Sequence, residues 1–363
     1  MKILSITIHR VVNFGSVLQA YATQELFKSR GVDFATLDYI PERLTLSFRL
    51  KEIFLTDKRP LYQRLAQFLT MEVINRRVFD GFLKRRLRVT LPFRDKDKPH
   101  RKVSADVYMT GSDQVWNSEH NRRVDTTYYW DFVKGRKVAF ASSFGRTEIP
   151  ESEAATVRPC LADYSLLSAR EDTGVAILNR LQKGQTAVQL LDPTLLLDGN
   201  RWRSIARRRG EDGRRRYVLI YPMSSVDPTL IEVGRKIAIK AHAELWMLSP
   251  GLKTFRACDR TLKFQSPERF LALVDGAECL VTNSFHGTVF AVNFNRPFVS
   301  VPPVRYSTRI TSVLRLLGLE SRLYTDAFDL DNSLVVDFTE ANKILAEERA
   351  KADTYINKIL SLC

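Results

Sequence analysis

Short apolar runs of strand length alternate along the chain with longer segments whose apolar residues recur at helical spacing. The run KILSITI at 2–8 predicts a buried strand, and the segment after it predicts a helix with Gln24 and Lys28 outside its apolar stripe. The residues of that stripe are Val17, Leu18, Tyr21, Ala22 and Leu26. Repeated alternation of this kind is typical of a parallel sheet covered by helices.

The same alternation runs through both halves of the chain. Further strands are predicted at 105–110, 137–141, 165–169, 187–192, 217–221, 243–248 and 278–282. Ser266 and Pro267 predict a helix start in the second half, because serine caps a helix N-terminus and proline suits the first helical position. The segment 41–100 is less regular, and it includes a predicted basic helix within RRVFDGFLKRRLRVT.

An arginine-rich stretch at 193–216 interrupts this rhythm and marks a predicted domain boundary. We therefore predict an α/β protein with two Rossmann-like, doubly wound domains facing a cleft, at residues 1–200 and 210–335. Apolar residues recur at helical spacing near the end of the chain, so residues 338–363 are predicted to form an amphipathic C-terminal helix.

Composition agrees with a globular, cytoplasmic protein. The 363 residues are 44% hydrophobic, which is enough to bury sizeable cores, and no apolar run reaches the length of a membrane span. The four cysteines are scattered, without a CxxC motif or a paired Cys/His ligand spacing. We therefore expect neither a disulfide framework nor a metal site.

The chain carries 56 basic and 41 acidic residues, a formal net charge of +15. Much of the excess lies in basic runs at 84–88, 207–209 and 214–216. Such runs either form ordinary solvated surface or attract an anionic partner, which could be a membrane leaflet, an acidic glycan or a nucleic acid. No motif typical of a nucleic-acid-binding protein occurs, so we expect no nucleic-acid partner.

Ligands of doubly wound sheets bind outside the carboxyl ends of the strands, where loops lead into helices. Five predicted loops of this kind are rich in glycine, serine, asparagine or charged residues: 9–16, 111–117, 142–146, 170–173 and 283–287. Each is also compatible with an ordinary turn or helix cap. Together they indicate one ligand-binding cleft.

Six motifs in these regions resemble the polysaccharide pyruvyl transferase family. They are NFGSVLQAY at 13–21, GSDQVWN at 111–117, ASSFG at 141–145, SARED at 168–172, LDPTLLL at 191–197 and TNSFHGTVF at 282–290. Their order and spacing are also similar to those of the family, from residue 3 to about residue 318.

The resemblance implies a fold similar to that of GT-B glycosyltransferases. It also implies transfer of the enolpyruvyl group of phosphoenolpyruvate to two hydroxyls of one sugar, which yields a pyruvyl ketal and free phosphate. Phosphoenolpyruvate would be a donor substrate, and no cofactor is expected. Its phosphate and carboxylate require guanidinium groups and backbone N–H donors, and its methylene carbon requires an acid.

His286 is the expected donor-side acid or phosphate ligand, by alignment with relatives that read Arg-Leu-His at this point. The alternative is that His286 only stabilises the turn into the following helix. Ser284 stands where those relatives have the arginine, so Ser284 with the backbone of Gly287, or another cation, is expected to replace it. Arg309 is the first choice for that cation and Arg305 the second.

Arg170, in SARED, matches another basic position of the family and is expected to clamp the donor. The alternative is an ion pair with Glu171 or Asp172. Asp113 is the expected base for the sugar hydroxyl, with Glu171 second, although Asp113 could equally cap a helix beginning at Gln114. The residues expected to bind the acceptor are Asn13, Gly15, Gln19, Ser112, Asp113 and Ser143.

Two other functions stay open from the sequence. One is a sugar-nucleotide glycosyltransferase, since the fold is shared. The other is a non-catalytic module that binds anionic glycan or lipid, for which Ser284 in place of arginine is the motive. For the transferase, the expected acceptor is a glycan, lipid-linked in one version, with peripheral contact to an anionic membrane at the inner face.

Overall fold

The computed structural model describes residues 1–362 except 53–58, 183, 185, 209, 211–214, 224–225, 250 and 303–307. The chain divides into two compact units. The first comprises Met1–Leu65, Asp80–Leu196 and Glu347–Cys363, and the second comprises Ala66–Phe79 and Leu197–Ala346.

The first unit is built on a parallel five-stranded sheet. Its strands are β1 (Lys2–Ile6), β2 (Asp33–Thr36), β3 (Val107–Thr110), β4 (Arg136–Ala139) and β5 (Tyr164–Leu166). Their spatial order is β2-β1-β3-β4-β5, with Ile3 aligned between Phe34 and Val107. Most residues of these strands are buried, as expected for a sheet that helices cover on both faces. Apolar runs therefore predicted β1, β3 and β4, whereas no strand was predicted at β2, whose sequence is DFAT.

Helices flank this sheet, and α1 is buried on nearly all sides. Outside segment 41–100 and the C-terminal helix, the helices of this unit are α1 (Phe14–Lys28), α5 (Ser118–Asn121), α6 (Glu151–Leu161), α7 (Asp172–Leu181) and α8 (Pro193–Leu196). Gln24, expected outside the apolar stripe of α1, is buried instead. Its amide donates to Arg86 O at 2.7 Å and accepts from Arg88 N at 2.7 Å, and these bonds offset its loss of water.

The predicted strand at 165–169 is two strands rather than one. β5 ends at Leu166, and Ser168–Ala169 forms β6, which pairs with β7 (Val188–Gln189) in a separate two-stranded sheet. Leu167, between them, is buried. An apolar run predicts burial, but it carries no signal for a change of partner strand in its middle.

The second unit holds another parallel five-stranded sheet, in the order β10-β9-β8-β11-β12. Its strands are β8 (Tyr217–Tyr221), β9 (Glu244–Ser249), β10 (Arg260–Lys263), β11 (Cys279–Thr282) and β12 (Phe298–Ser300). Its helices are α9 (Gly199–Ile205), α10 (Pro228–Lys240), α11 (Pro267–Asp275), α12 (Phe285–Asn293) and α13 (Thr308–Leu316). As predicted, Ser266 caps α11, with its hydroxyl accepting from Arg269 N at 3.2 Å.

In its described part, the irregular segment 41–100 contains the α-helices α2 (Leu46–Lys51), α3 (Leu61–Phe68) and α4 (Arg76–Arg86). A π-helical stretch, Leu69–Asn75, joins α3 to α4. The predicted basic helix is α4, and the predicted C-terminal helix is α14 (Thr339–Leu360). None of the helices in the described part of the chain is both long enough and apolar enough to cross a bilayer.

Candidate functional site

Each five-stranded sheet has a point where the strand order reverses, and most of the predicted site residues lie in the loops at that point or in the first two turns of the helices that follow them. In the first sheet the reversal lies between β1 and β3, so the loops that follow these strands diverge there. In the second sheet it lies between β8 and β11. Crevices at such reversals are where ligands of doubly wound sheets bind. The loop after β1 leads to Asn13, that after β3 contains Asp113, and that after β11 contains Ser284.

Asn13 and Ser16 connect the two loops of the first unit. The side chain of Asn13 caps α1 by accepting from Ser16 N at 3.1 Å. The hydroxyl of Ser16 donates to Asp113 Oδ2 at 2.5 Å, which ties the first turn of α1 to the loop after β3. The structure thus brings Asn13 and Asp113 into one cluster, although they are 100 positions apart in sequence.

Asp113 has a left-handed backbone, with φ of 73°, which few residues other than glycine adopt. Its Oδ1 accepts from Gln114 N at 2.8 Å. The expected alternative of a helix beginning at Gln114 is wrong, because the next helix, α5, begins at Ser118 and is capped by Asn117. The carboxylate of Asp113 is therefore held by the Ser16 hydroxyl and the Gln114 N–H at the carboxyl end of the sheet.

Arg170 lies among three carboxylates. Its Nε donates to Glu171 Oε1 and its Nη1 to Asp192 Oδ2, both at 2.7 Å, and its Nη2 is 3.8 Å from Asp113 Oδ1. Burial alone would lower the pKa of Arg170, but the charges of Glu171, Asp192 and Asp113 raise it above its ordinary value. The ion pair with Glu171, one of the alternatives open from the sequence, is present.

Two serines, Ser143 and Ser112, donate hydrogen bonds to the carboxylates of Glu171 and Asp192 that Arg170 also contacts. Ser143 Oγ donates to Glu171 Oε1 at 2.8 Å, and Ser112 Oγ donates to Asp192 Oδ2 at 3.1 Å. Asp192, which sequence reasoning had not placed in the site, also accepts from Thr194 Oγ1 at 2.7 Å. Its only local signal is the LDPT motif, whereas its contacts to Ser112 and Arg170 are long-range.

Gly15 and Gln19 lie in the first two turns of α1 and are buried. The amide of Gln19 donates to Thr7 Oγ1 at 2.8 Å and to Ser16 O at 2.9 Å. Thr7 Oγ1 in turn donates to Ser112 O at 2.7 Å. Gln19 therefore fixes the loop after β1 against the loop after β3, and contact with an acceptor by Gly15, Gln19, Ser112 or Ser143 stays a prediction.

In the second unit, Ser284 is the N-cap of α12. Its hydroxyl accepts from Gly287 N at 3.3 Å, and its own N–H donates to Thr282 Oγ1 at 3.0 Å. Asn283 Oδ1 accepts from Met223 N at 2.7 Å, which joins the loops after β11 and β8 at the reversal point. Gly287 is required by close packing, because a Cβ there would lie 2.5 Å from Thr282 Oγ1.

His286 lies in the first turn of α12, which begins at Phe285. The His286 ring meets the Phe285 ring edge-on, with 5.1 Å between centroids. The guanidinium of Arg309, from α13, lies 5.8 Å from the centre of the same Phe285 ring. The structure therefore places both His286 and Arg309 close to the Phe285 ring. Arg305 lies outside the described residues.

The first turn of α12 has the features of an anion-binding site. Helix N-termini present unpaired N–H groups and a partial positive charge, and Arg309 adds a full charge nearby. Within the described ranges, no group of three or more His, Cys, Asp or Glu side chains could hold a metal ion.

Similar structures have the same fold at very low sequence identity. The Anabaena protein Alr3699/HepE in complex with UDP-glucose has a TM-score of 0.51 and 10% identity, over 100% of both chains. The MnaA–UDP co-structure from S. aureus also has a TM-score of 0.51 and 10% identity, over 100% of this chain and 97% of that one. Together with the two parallel sheets and the C-terminal helix, this likeness confirms the GT-B-like fold.

No curated protein sequence matches the chain. The sequence model of one family, described as polysaccharide pyruvyl transferase, matches residues 13–303. This range contains all six motifs quoted above, from NFGSVLQAY to TNSFHGTVF, and the loops after β3 and β11. The chain belongs to the polysaccharide pyruvyl transferase family.

Proposed function

We propose that this protein transfers the enolpyruvyl group of phosphoenolpyruvate to two hydroxyls of one sugar, in a polysaccharide or its lipid-linked repeat unit. The products are a pyruvyl ketal and phosphate. The observation that carries the proposal is the position of His286, in the first turn of α12 at the reversal point of the second sheet, within the region that matches the family.

The donor is proposed to bind at this turn. Phosphoenolpyruvate carries a phosphate and a carboxylate, and the N–H groups of α12 with the Arg309 guanidinium supply complementary donors and charge. Ser284 occupies the position where relatives have arginine, but its hydroxyl caps α12. Arg309, beside Phe285, is therefore the residue we assign to replace that arginine.

His286 is proposed to act on the donor as a proton source or a phosphate ligand. Protonation of the methylene carbon makes C2 of the enolpyruvyl group electrophilic. The oxygen of one sugar hydroxyl then bonds to C2, the bond between C2 and the phosphate oxygen breaks, and the oxygen of the second hydroxyl bonds to C2 to close the ketal ring. The two protons lost by the hydroxyls balance the one gained by the methylene carbon and the one that leaves on hydrogen phosphate.

Asp113 is proposed to accept the proton of the attacking sugar hydroxyl. Its carboxylate is oriented by Ser16 Oγ and Gln114 N, and Arg170 lies 3.8 Å away. Glu171 is the second choice, but its Oε1 already accepts from Arg170 Nε and Ser143 Oγ. Asn13, Gln19, Ser112 and Ser143 lie in the hydrogen-bond network of the loops that hold this carboxylate, and Gly15 lies in the first turn of α1 next to Ser16, which supports an acceptor site there.

No further cofactor is proposed, since the chemistry needs only an acid, a base and anion-binding groups. We propose that the protein works in the cytoplasm, peripherally at the inner membrane face, in the biosynthesis of an exopolysaccharide. The net charge of +15 supports attraction to such a surface.

The test is thermal unfolding of the full chain with phosphoenolpyruvate, phosphate or UDP-glucose, which requires no known acceptor. A ligand that binds only the native state stabilises it by about 2.7 kcal/mol at a hundredfold excess over the dissociation constant. We expect phosphoenolpyruvate to raise the melting temperature of the wild type and of His100→Ala, in which an exposed histidine is removed. His286→Ala should lose that increase.

Two outcomes would contradict the proposal. An increase with UDP-glucose alone would indicate a sugar-nucleotide glycosyltransferase of the same fold. No increase in melting temperature with any donor, combined with binding of an anionic glycan, would indicate a non-catalytic module. Serine in place of arginine at position 284 would agree with that function.

A further inference from the structure

One helical segment exposes a concentrated apolar surface. Among the described residues, twelve large hydrophobic side chains are exposed to solvent, and six of them lie within the fourteen residues 61–74. The other six are scattered over the chain. The members of the group are Leu61, Tyr62, Leu65, Leu69, Val73 and Ile74, whose exposed fractions range from 39% to 70%.

These side chains form a stripe. Leu61, Leu65, Leu69 and Val73 recur at every fourth position of α3 and the π-helical stretch, so they lie on one side of the segment. Gln63 and Gln67 lie between them in sequence, on other sides of α3. We name this stripe the apolar face of segment 61–74. A contiguous apolar face of this kind is usually buried in the protein core, and where it is exposed it is typical of a surface that binds a partner or a membrane.

The same part of the chain is strongly basic. Residues 59–88 contain eight arginines and lysines and two acidic residues, a formal charge of +6. Four of the eight continue into the last turn of α4 and just beyond it: Lys84, Arg85, Arg86 and Arg88. The apolar face is therefore flanked along the chain by positive charge.

We propose that the apolar face of segment 61–74 docks the protein on an anionic lipid bilayer. Amphipathic helices rich in Lys and Arg lie in the plane of a membrane, with their apolar side chains in the boundary between headgroups and acyl chains. Basic residues close to an anionic leaflet add electrostatic attraction, which salt screens. The stripe and the charge together satisfy both requirements.

Charge also favours a membrane over a second copy of the chain. A twofold-symmetric contact through the apolar face would bring two segments of +6 together, and like charges at an interface oppose association. An anionic leaflet has the opposite sign. This inference extends the membrane location given under the proposed function, but lipid binding requires no catalysis, so lipid binding and pyruvyl transfer can each fail while the other holds.

The experiment is co-sedimentation of the full chain with vesicles of phosphatidylcholine, either pure or with about 30% phosphatidylglycerol, at about 0.1 M and about 0.5 M salt. We expect binding to the anionic vesicles at low salt and much weaker binding in the other conditions. Leu69→Glu should reduce partitioning by about tenfold or more, because it removes apolar contact and adds a negative charge.

The matched control is Ile239→Glu, which makes the same change in charge at an exposed aliphatic residue of α10, outside the segment. It should bind like the wild type. Leu65→Glu is a second variant of the apolar face, in case Leu69→Glu fails to fold, and circular dichroism checks both. Absence of binding by the wild type would overturn the proposal, as would equal losses in Leu69→Glu and Ile239→Glu. A dimer that Leu69→Glu dissociates, without vesicle binding, would assign the face to self-association instead.

Discussion

Replacement of Arg170 by methionine separates a structural role for this residue from a ligand-binding one. The side chain is 1% exposed, and it neutralises the equally buried carboxylates of Glu171 and Asp192 at 2.7 Å. Arg170→Met keeps most of the side-chain volume but leaves those carboxylates, and Asp113 beyond them, without their guanidinium. We therefore expect a large loss of stability together with any loss of donor binding.

The magnitude follows from the burial. Removing one member of a buried ion pair costs about 3 to 5 kcal/mol, because the remaining charge stays desolvated. The upper part of this range is expected here, since more than one carboxylate loses its partner. Arg158→Met is the control: Arg158 pairs with Glu151 at the exposed surface of α6, so its loss should leave the unfolding midpoint unchanged.

Urea unfolding followed by circular dichroism measures both variants, and calorimetric titration with phosphoenolpyruvate measures the donor. An Arg170→Met protein as stable as the wild type, with phosphoenolpyruvate binding abolished, would refute this reasoning. It would show that the guanidinium serves the donor, as the family resemblance implies, rather than the loops.

Three further predictions concern stability. Burial would raise the pKa of Asp38, but hydrogen bonds from Arg10 and His9 lower that pKa to about 2, so the ionised carboxylate stabilises the fold above pH 4 and this contribution is lost as pH falls through 2. Urea unfolding should therefore show that Asp38→Asn loses more unfolding free energy at pH 7 than at pH 3, and equal losses would contradict the pairing. Gly287→Ala should cost about 1 to 3 kcal/mol, because its Cβ would meet Thr282 Oγ1 at 2.5 Å, and thermal unfolding at the wild-type midpoint would contradict this. Ser266→Ala should cost about 1 kcal/mol by removing the cap of α11, and an unchanged urea midpoint would mean that another group caps it.

Much of the fold was predictable because each sheet is buried on both faces. A parallel strand covered by helices on both sides reads as a short apolar run, and KILSITI, YVLIY and ECLVT stood out for that reason. Two helices were equally predictable: Ser266 and Pro267 indicated the start of α11, and the helical spacing of apolar residues indicated α14.

Other features depend on contacts that local sequence does not encode. Gln24 has the polarity of a surface residue, yet α1 is covered on that side by the segment ending at Arg88, and only the tertiary fold supplies its two hydrogen bonds. The division of the apolar run at Leu167 into β5 and β6 likewise depends on a distant segment, because β6 pairs with β7 rather than with a strand of the five-stranded sheet.

The candidate site was partly predictable for the same reason. Loops at the carboxyl ends of strands are identifiable from strand runs followed by glycine, serine and asparagine, which led to Asp113 and His286. The role of Asp192 depends on Arg170, which lies 22 positions earlier in the chain, and no local pattern indicates that pairing.

The most direct test of the central claim is calorimetric titration of phosphoenolpyruvate into the wild type, His286→Ala and His100→Ala. We predict that the wild type and His100→Ala bind equally well, and that His286→Ala binds at least about tenfold more weakly, which corresponds to about 1.4 kcal/mol. Absence of binding by the wild type, or equal affinity in His286→Ala, would contradict a donor site in the first turn of α12.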